Sequence, residues 1–420
     1  MQLRRGAVTA NLGAAALTVE LPVSQNRRGW TVTATLFDAA GEVVSASARA
    51  DLDKTPTVSL PIPADRLRLW SPADPHLYDL TLELRDDRGA LVDRVASYAG
   101  MRSVTIDATA ILINGQRVFQ RLVLDQGYWP DTLMTAPDDA ALRRDIELAL
   151  AAGFNGARLH QKVFEERSFY HADRLGYLVW GEFGDWGANS DGPDTDNQQP
   201  TASFVTQWLE AVRRDRNHPS IVGWCPLNET HQRIGDQITV LDDVTRAMFW
   251  ATKLADPTRP VLDASGYSHR VAETDVWDSH DYQQDPGWFA ANHAGLAGGR
   301  PFVNRSEHGE YSLPYAGQPY FVSEFGGIWW NPDALDADGR VRTESWGYGD
   351  RVRDEEGFYA RFEGLTGVLL ADPGMFGYCY TQLTDVFQEE NGIYRFDRSA
   401  KLDVERIRAA QQRPAAYEGR

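Results

Sequence analysis

The sequence predicts a chain of two parts, a small all-β sandwich followed by a (β/α)8 (TIM) barrel. Its 420 residues exceed one ordinary domain. Residues 1–103 alternate polar and apolar side chains with the period of two expected of half-buried strands. From 104 to 420, strand-like and helix-like segments take turns, as successive βα units require.

In the first part the alternation is plain in Trp30-Thr31-Val32-Thr33-Ala34-Thr35-Leu36-Phe37 and in Leu77-Tyr78-Asp79-Leu80-Thr81-Leu82-Glu83-Leu84. Asp38-Ala39-Ala40-Gly41 and Asp86-Asp87-Arg88-Gly89 are the turns that follow them. Several short strands at this spacing make a sandwich, and no chemistry is expected there. In the second part, strands are expected near 118–124, 154–160, 177–182, 220–228, 260–264, 276–282, 319–325 and 374–381. Helical patterns run from Asp138 to Ala152 and from Phe204 to Arg216. Eight strand-like segments suit a barrel whose active edge carries long loops, for which 184–200 and 329–350 are the candidates.

The net charge of -18, from 42 basic and 60 acidic residues, argues against nucleic acid or an anionic membrane as partner, because both reward clustered Lys and Arg. No apolar run approaches the ~20 residues of a membrane span. The start, Met1-Gln2-Leu3-Arg4-Arg5, leads only to a short Ala14–Leu17 apolar stretch, so a cytoplasmic location is expected. Cys225 and Cys379 have neither CxxC partners nor metal-ligand spacing and are expected to be inert core thiols. Nine histidines include no HExxH and no paired His at the first strand, so no metal and no cofactor are expected.

Barrel enzymes place their chemistry at the C-terminal ends of strands. The fourth expected strand, Ser220–Leu227, ends in Asn228-Glu229, and the seventh, Pro319–Ser323, ends in Glu324-Phe325-Gly326-Gly327. A carboxylate after an apolar strand is costly to desolvate and needs partners or a function. Two facing carboxyl groups are the minimal equipment for glycoside hydrolysis, one protonated to donate and one ionised to attack. Burial is expected to raise the acid, while a donor such as Arg158, at the end of the second strand, holds the nucleophile ionised. The bland alternative is a pair of rim glutamates in structural ion pairs.

At these motifs the chain resembles glycoside hydrolase family 2, which contains β-galactosidases, β-glucuronidases and β-mannosidases. Leu69-Trp70-Ser71-Pro72 and Pro75-His76-Leu77-Tyr78 resemble the end of that family's immunoglobulin-like domain. Leu112-Ile113-Asn114-Gly115-Gln116-Arg117 resembles the entry to its barrel, and Arg121–Asp131 is similar to the first strand in some bacterial members. Gly153–His160, Ala172–Glu182, Arg216–Ser220 and Phe321–Gly327 continue the likeness in order and spacing.

The resemblance implies an immunoglobulin-like sandwich, and Glu229 as acid/base with Glu324 as nucleophile. It further implies Asn228 as the contact to the sugar 2-hydroxyl, Arg158 as support for the nucleophile, and Tyr282 as that carboxylate's hydrogen-bond partner. Substrate contacts are expected from His160, His280 and Asp281, and sugar platforms from Trp129, Trp186, Trp329 and Trp330. Glu182 is expected to accept hydrogen bonds at the pocket, and Asp385 and Gln382 to stand behind it.

Three features depart from the family pattern. The jelly roll of nearly 200 residues with which the family normally begins is not among these 420 residues; His160 follows Arg158 by two positions rather than three; and neither a histidine shortly after Glu324 nor a glucuronidase-type Asn-x-Lys is present. The expected activity is retaining hydrolysis of terminal β-linked sugars, with β-galactosides favoured and a carbohydrate as the partner. The alternative is an incomplete or non-catalytic carbohydrate-binding fragment. A homo-oligomer is the family's habit.

Overall fold

The structure is a computed structural model and describes residues 1–185, 201–231, 240–306, 309–332 and 345–419. Seven strands form the N-terminal part: β1 (Ala7–Asn11), β2 (Ala16–Glu20), β3 (Thr31–Asp38), β4 (Gly41–Arg49), β5 (Thr57–Pro61), β6 (Tyr78–Arg85) and β7 (Leu91–Ala99). They make two antiparallel sheets, β1-β2-β5 and β4-β3-β6-β7. The alternation explains the layering. Val32, Ala34 and Leu36 of β3 are buried, together with Tyr78, Leu80 and Leu84 of β6, against Leu17, Val19, Val58 and Leu60 of the facing sheet. The result is the β-sandwich that the period of two predicts, of the immunoglobulin-like kind that the resemblance implies.

A small sheet of β8 (Val104–Asp107), β9 (Ala110–Ile113) and β10 (Gln116–Arg117) leads into the barrel. The barrel then runs β11 (Gln120–Asp125), α1 (Asp139–Ala151), β12 (Gly156–Leu159), α2 (Glu166–Leu175), β13 (Leu178–Glu182), α3 (Ala202–Asp215), β14 (Ile221–Cys225) and α4 (Val240–Ala255). After a short fifth segment come β15 (Trp277–Asp281), α5 (Pro286–His293), the hairpin β16 (Arg305–Ser306) and β17 (Gly309–Glu310), β18 (Tyr320–Gly326), α6 (Glu355–Ala371), β19 (Met375–Thr381) and α7 (Val404–Gln411).

The sheet order β14-β13-β12-β11-β19-β18-β15 is parallel throughout. Residues 261–265 supply the missing fifth position. They bridge Trp224 to Val261 and Asn228 to Ser265 on one side, and Asp275 N–H donates to Val261 O on the other. Every residue of β13, β14, β15, β18 and β19 is buried; all but β15, which carries Asp278, Ser279, His280 and Asp281, read as largely apolar runs.

The two parts share one hinge of packing. Trp70, in the chain between β5 and β6, is fully buried within the barrel's apolar core rather than the sandwich's. Its indole N–H donates to Asp173 O (2.7 Å), and its own carbonyl accepts from Asn114 Nδ2 (2.9 Å). Arg102, also buried, donates to Pro219 O and Ile221 O at 2.7 Å each and fastens the linker to β14. Trp70→Ala should therefore destabilise the chain by about 3–5 kcal/mol, the usual cost of emptying a buried indole site. Urea denaturation reads it as a lowered midpoint, and an unchanged midpoint would remove Trp70 from this role.

Candidate active site

The C-terminal ends of the barrel strands converge on one buried guanidinium. Arg158, on β12, donates from Nε to Glu182 Oε2 (2.7 Å), from Nη1 to Ser323 O (2.8 Å) and from Nη2 to Asn228 Oδ1 (2.7 Å). The same Nη2 lies 3.0 Å from Glu324 Oε1. Burial alone would lower the guanidinium's pKa, but the charges of Glu182 and Glu324 raise it beyond its ordinary value. Burial likewise opposes ionisation of Glu182, yet Arg158 and His160 bring it down to about 2.

Glu324 is oriented at both oxygens. Tyr282 Oη donates to Oε2 (2.6 Å), while Oε1 faces Arg158 and has His160 Nδ1 at 3.8 Å. Tyr282 is itself held, stacked face to face on Tyr348 with its hydroxyl 3.1 Å from Thr381 Oγ1. A shift of register between Ser279 and His280 sets His280 opposite Glu324 across the β15–β18 pair. Bulges of this kind re-aim side chains near functional sites.

Glu229 arrives from the other direction. It follows β14 with a positive φ of 52°, a conformation non-glycine residues occupy at a cost. Its N–H donates to Ser265 O (2.9 Å), and Asp185 anchors the neighbouring residues through Asn228 N–H (3.0 Å) and the Thr230 hydroxyl. The side chain keeps 31 % of its area accessible against 3 % for Glu324, so the two carboxylates differ in access to solvent.

His280 joins them. Its Nδ1–H donates to Glu229 Oε1 (2.7 Å) and lies 3.3 Å from Glu324 Oε2. Gly266 permits this approach. A Cβ there would fall 2.4 Å from His280 Nδ1, at a φ of +71°. Behind His280, Ser265 Oγ stands 3.0 Å from Nε2 and donates to Asp278 Oδ2 (3.0 Å). Asp278 in turn meets His269 (3.2 Å), whose Nδ1 pairs with Asp263 (2.7 Å). Burial would discharge His269, but Asp263 and Asp278 push it up to about 10.

The expectation that burial raises the pKa of Glu229 is not met. Burial does push it upward, but the His280 hydrogen bond and the charges of His280, His160 and Arg158 leave it below its ordinary value. His280 is correspondingly raised: burial opposes its charge, and Glu324 and Glu229 outweigh burial.

The structure brings Arg158, His160, Glu182, Asn228, Glu229, His280, Tyr282 and Glu324 together. Arg158 takes the Asn228 oxygen, and among the described residues the buried Nδ2 donor has no partner. Three expected contacts are corrected. Asp281 points away from the pocket and is bound to Asn292 Nδ2 (2.8 Å) and His293 (3.2 Å) of α5, because β15 alternates its side chains. Trp129 is buried, with the Lys162 ammonium and the Arg398 guanidinium over its ring, and offers no free face. Trp330 is buried beside Phe358 in the core. Trp329 Nε1–H donates to Ser345 Oγ (2.8 Å). Trp186 lies outside the described residues.

Sequence reading passed over Gln126, Glu389, Asn391 and Trp346. Gln126 Nε2 donates to Gln382 Oε1 (2.8 Å) and Glu389 Oε2 (3.2 Å), while Asn391 donates to Glu389 Oε1 (3.1 Å). Gln126 was visible as the polar residue just past the first strand. Nothing in the sequence marked Trp346. Asp385 is buried against Lys401 (2.6 Å).

Among the described residues, Glu229, His280 and Glu324 are the group that could ligate an ion, each offering an atom within 4.8 Å of the others. Arg158 already places a cation beside Glu324.

The ion pair of Glu229 and His280 has a pH signature. A depressed carboxylate stabilises the fold above its ordinary 4.5 and loses that contribution as pH falls through its lowered value. A raised imidazole stabilises below its ordinary 6.5 and loses it as pH rises through its raised value. The stability difference between the wild type and Glu229→Gln should therefore peak between about pH 4.5 and 6.5 and shrink on both sides. Urea midpoints from pH 3 to 9 check this, and a flat difference would exclude the charged pair.

The geometry agrees with what comparison finds. The family model for Glycosyl hydrolases family 2 matches residues 5–102, and that for its TIM barrel domain matches residues 104–285. A β-galactosidase of Vibrio cholerae is 32% identical over 284 residues, covering 62% of this chain and 26% of that protein. A β-glucuronidase of Paenibacillus borealis is 28% identical over 206 residues, covering 47% of this chain and 33% of that one. The chain thus spans about a quarter to a third of the length of these relatives. A β-glucuronidase from Ruminococcus gnavus, solved in complex with uronic deoxynojirimycin, shares the fold with a TM-score of 0.76 at 18% identity, over 98% of this chain and 68% of that one. With both family models matched end to end along its first two thirds, this chain belongs to glycosyl hydrolases family 2.

Proposed function

We propose that the chain is a retaining β-glycosidase acting on terminal β-linked sugars, with Glu324 as nucleophile and Glu229 as acid/base. The observation that supports this reading is the pair itself: one oxygen of each carboxylate lies within 4.8 Å of the other, a closeness that favours the ~5–5.5 Å spacing of carboxyl groups in retaining enzymes. An inverting pair needs ~6.5–9.5 Å to admit a water between them.

The surroundings suit the division of labour. Glu324, nearly enclosed and held by Arg158 and Tyr282, is an oriented carboxylate able to attack the anomeric carbon. Glu229, with its accessible side chain, stands where a leaving oxygen would pass and where water would enter afterwards. Bond cleavage takes the proton of Glu229 to the leaving oxygen as Glu324 bonds to C1. In the second half, Glu229 removes a proton from water, which displaces Glu324 and restores the β configuration. His280, hydrogen-bonded to Glu229, holds that carboxyl in place through both halves. Asn228 Nδ2, a buried donor without a partner among the described residues, is placed to donate to the sugar 2-hydroxyl, a contact that strengthens in the transition state. Relatives named β-galactosidase support a β-galactoside as first choice.

Hydrolysis of aryl β-glycosides tests this. Glu324→Gln should abolish turnover, whereas Glu229→Gln should lose about 10²–10⁴-fold and least for the most acidic phenol, since such a leaving group needs little protonation. Proton NMR should show the β anomer as the first product. An α anomer, or full activity in Glu324→Gln, would overturn the reading. Binding without turnover would favour the carbohydrate-binding alternative.

A further inference from the structure

At the end of β14 away from Glu229, where the sandwich meets the barrel, lies a cavity of about 190 Å³. Thr9 of β1, Arg102 and Ser103 of the linker, Arg216 and Asn217 after α3, and Arg259 after α4 line it. None of its described lining residues carries a carboxylate. A single water needs only ~10–15 Å³ of such space, so the cavity admits an ion larger than a halide.

Its guanidiniums are crowded and short of counterions. Arg102 Nη2 and Arg259 Nε both donate to Ile221 O, at 2.7 Å each, which sets two like charges side by side on one acceptor. Both residues are nearly out of water, with 6% and 4% of their surface exposed. Arg259 is paired with Asp256, but that carboxylate also accepts from Trp224 Nε1 (2.8 Å) and from the Thr258 hydroxyl (2.6 Å). Arg102 has only carbonyl partners: its Nε donates to Pro219 O, and among the described residues it forms no ion pair. Arg216 adds a third charge. Its Nη1 donates to Ala255 O (2.6 Å), and Glu20 stands 3.8 Å from its Nη2. Its buried Nε has no partner among the described residues.

The contrast with Arg158 is direct, since that buried guanidinium is matched by Glu182 and Glu324. A buried cation is costly unless an opposite charge offsets it, and a bound anion would do so here. Burial, and then the neighbouring Arg259, hold the Arg102 guanidinium well below its ordinary pKa, with Asp256 and Asp173 opposing them.

We propose that this cavity binds an oxyanion of the phosphate class, free or as the head of a phosphomonoester, between Arg102, Arg216 and Arg259. The inference stands apart from the glycosidase reading. A tetrahedral oxyanion presents acceptors in several directions, which suits guanidinium donors arriving from separate segments of the chain. Bound there, it would tie the linker to the start of β14 and so stabilise the seam between sandwich and barrel.

Calorimetric titration and thermal unfolding of the chain, dialysed free of phosphate, test this. The probes are sodium phosphate and glycerol 3-phosphate, with ionic strength held constant by sodium chloride. Phosphate should bind saturably with a Kd of about 1 mM or tighter, and the unfolding midpoint should rise with it as ligand linkage requires. Phosphate alone binding assigns the free ion, and glycerol 3-phosphate binding as well assigns the phosphomonoester head. Arg216→Gln, at a partly exposed position, should weaken binding at least about tenfold. Arg102→Met should remove it, and where that variant fails to fold Arg216→Gln decides. A midpoint that climbs without saturating and equally in Arg216→Gln is the general exclusion effect of phosphate and overturns the proposal. So does the absence of saturable binding by either probe, or stabilisation by chloride equal to that by phosphate.

Discussion

Everything at the head of this barrel depends on one buried cation. Arg158 touches groups contributed by β13, β18 and the segment after β14, so a single planar fork sets the relative positions of three strand ends. A guanidinium fully out of water is costly, and only near-complete pairing offsets that cost. Here Glu182 and Glu324 supply the charge, while Ser323 O and Asn228 Oδ1 take the remaining directed donors. Arginine suits this position better than lysine because its donors have fixed, divergent directions.

The two facing carboxylates differ because their supports differ. Glu324 rests on Arg158 and a tyrosine whose ring is stacked in place, and is almost sealed from solvent. Glu229 rests on a strained backbone turn and on an imidazole that it shares with Glu324. A buried line of hydrogen bonds and ion pairs, from Asp263 through His269, Asp278 and Ser265, backs that imidazole. The network ties the fifth segment to β15, although Asp263 Oδ2 has no hydrogen-bond partner among the described residues.

The sandwich adds position rather than chemistry. Its buried faces follow from simple alternation, yet Trp70 and Arg102 in its connecting segments are spent on the barrel. The linker thereby braces β14, the strand that presents Asn228 and Glu229.

Much of this was legible in the sequence. Period-two alternation disclosed the sandwich, apolar runs disclosed the barrel strands, and the glutamates ending two of those runs marked the candidate pair, because a carboxylate after an apolar strand demands an explanation. The ordered motifs from Leu69 to Gly327 pointed to the family. What the linear chain did not disclose was direction and access. Asp281 follows His280 by one residue, and the alternation of β15 sends it to α5 instead of the pocket. Trp129 and Trp330 look like platforms until packing buries them. Trp346 and Glu389 are far apart in sequence and meet only because their backbones bridge. Composition and period act locally and survive in the sequence. Side-chain facing, the pairing of charges across the barrel, and the shift of Glu229 below its ordinary pKa arise from contacts between distant residues, and only the tertiary structure decides them.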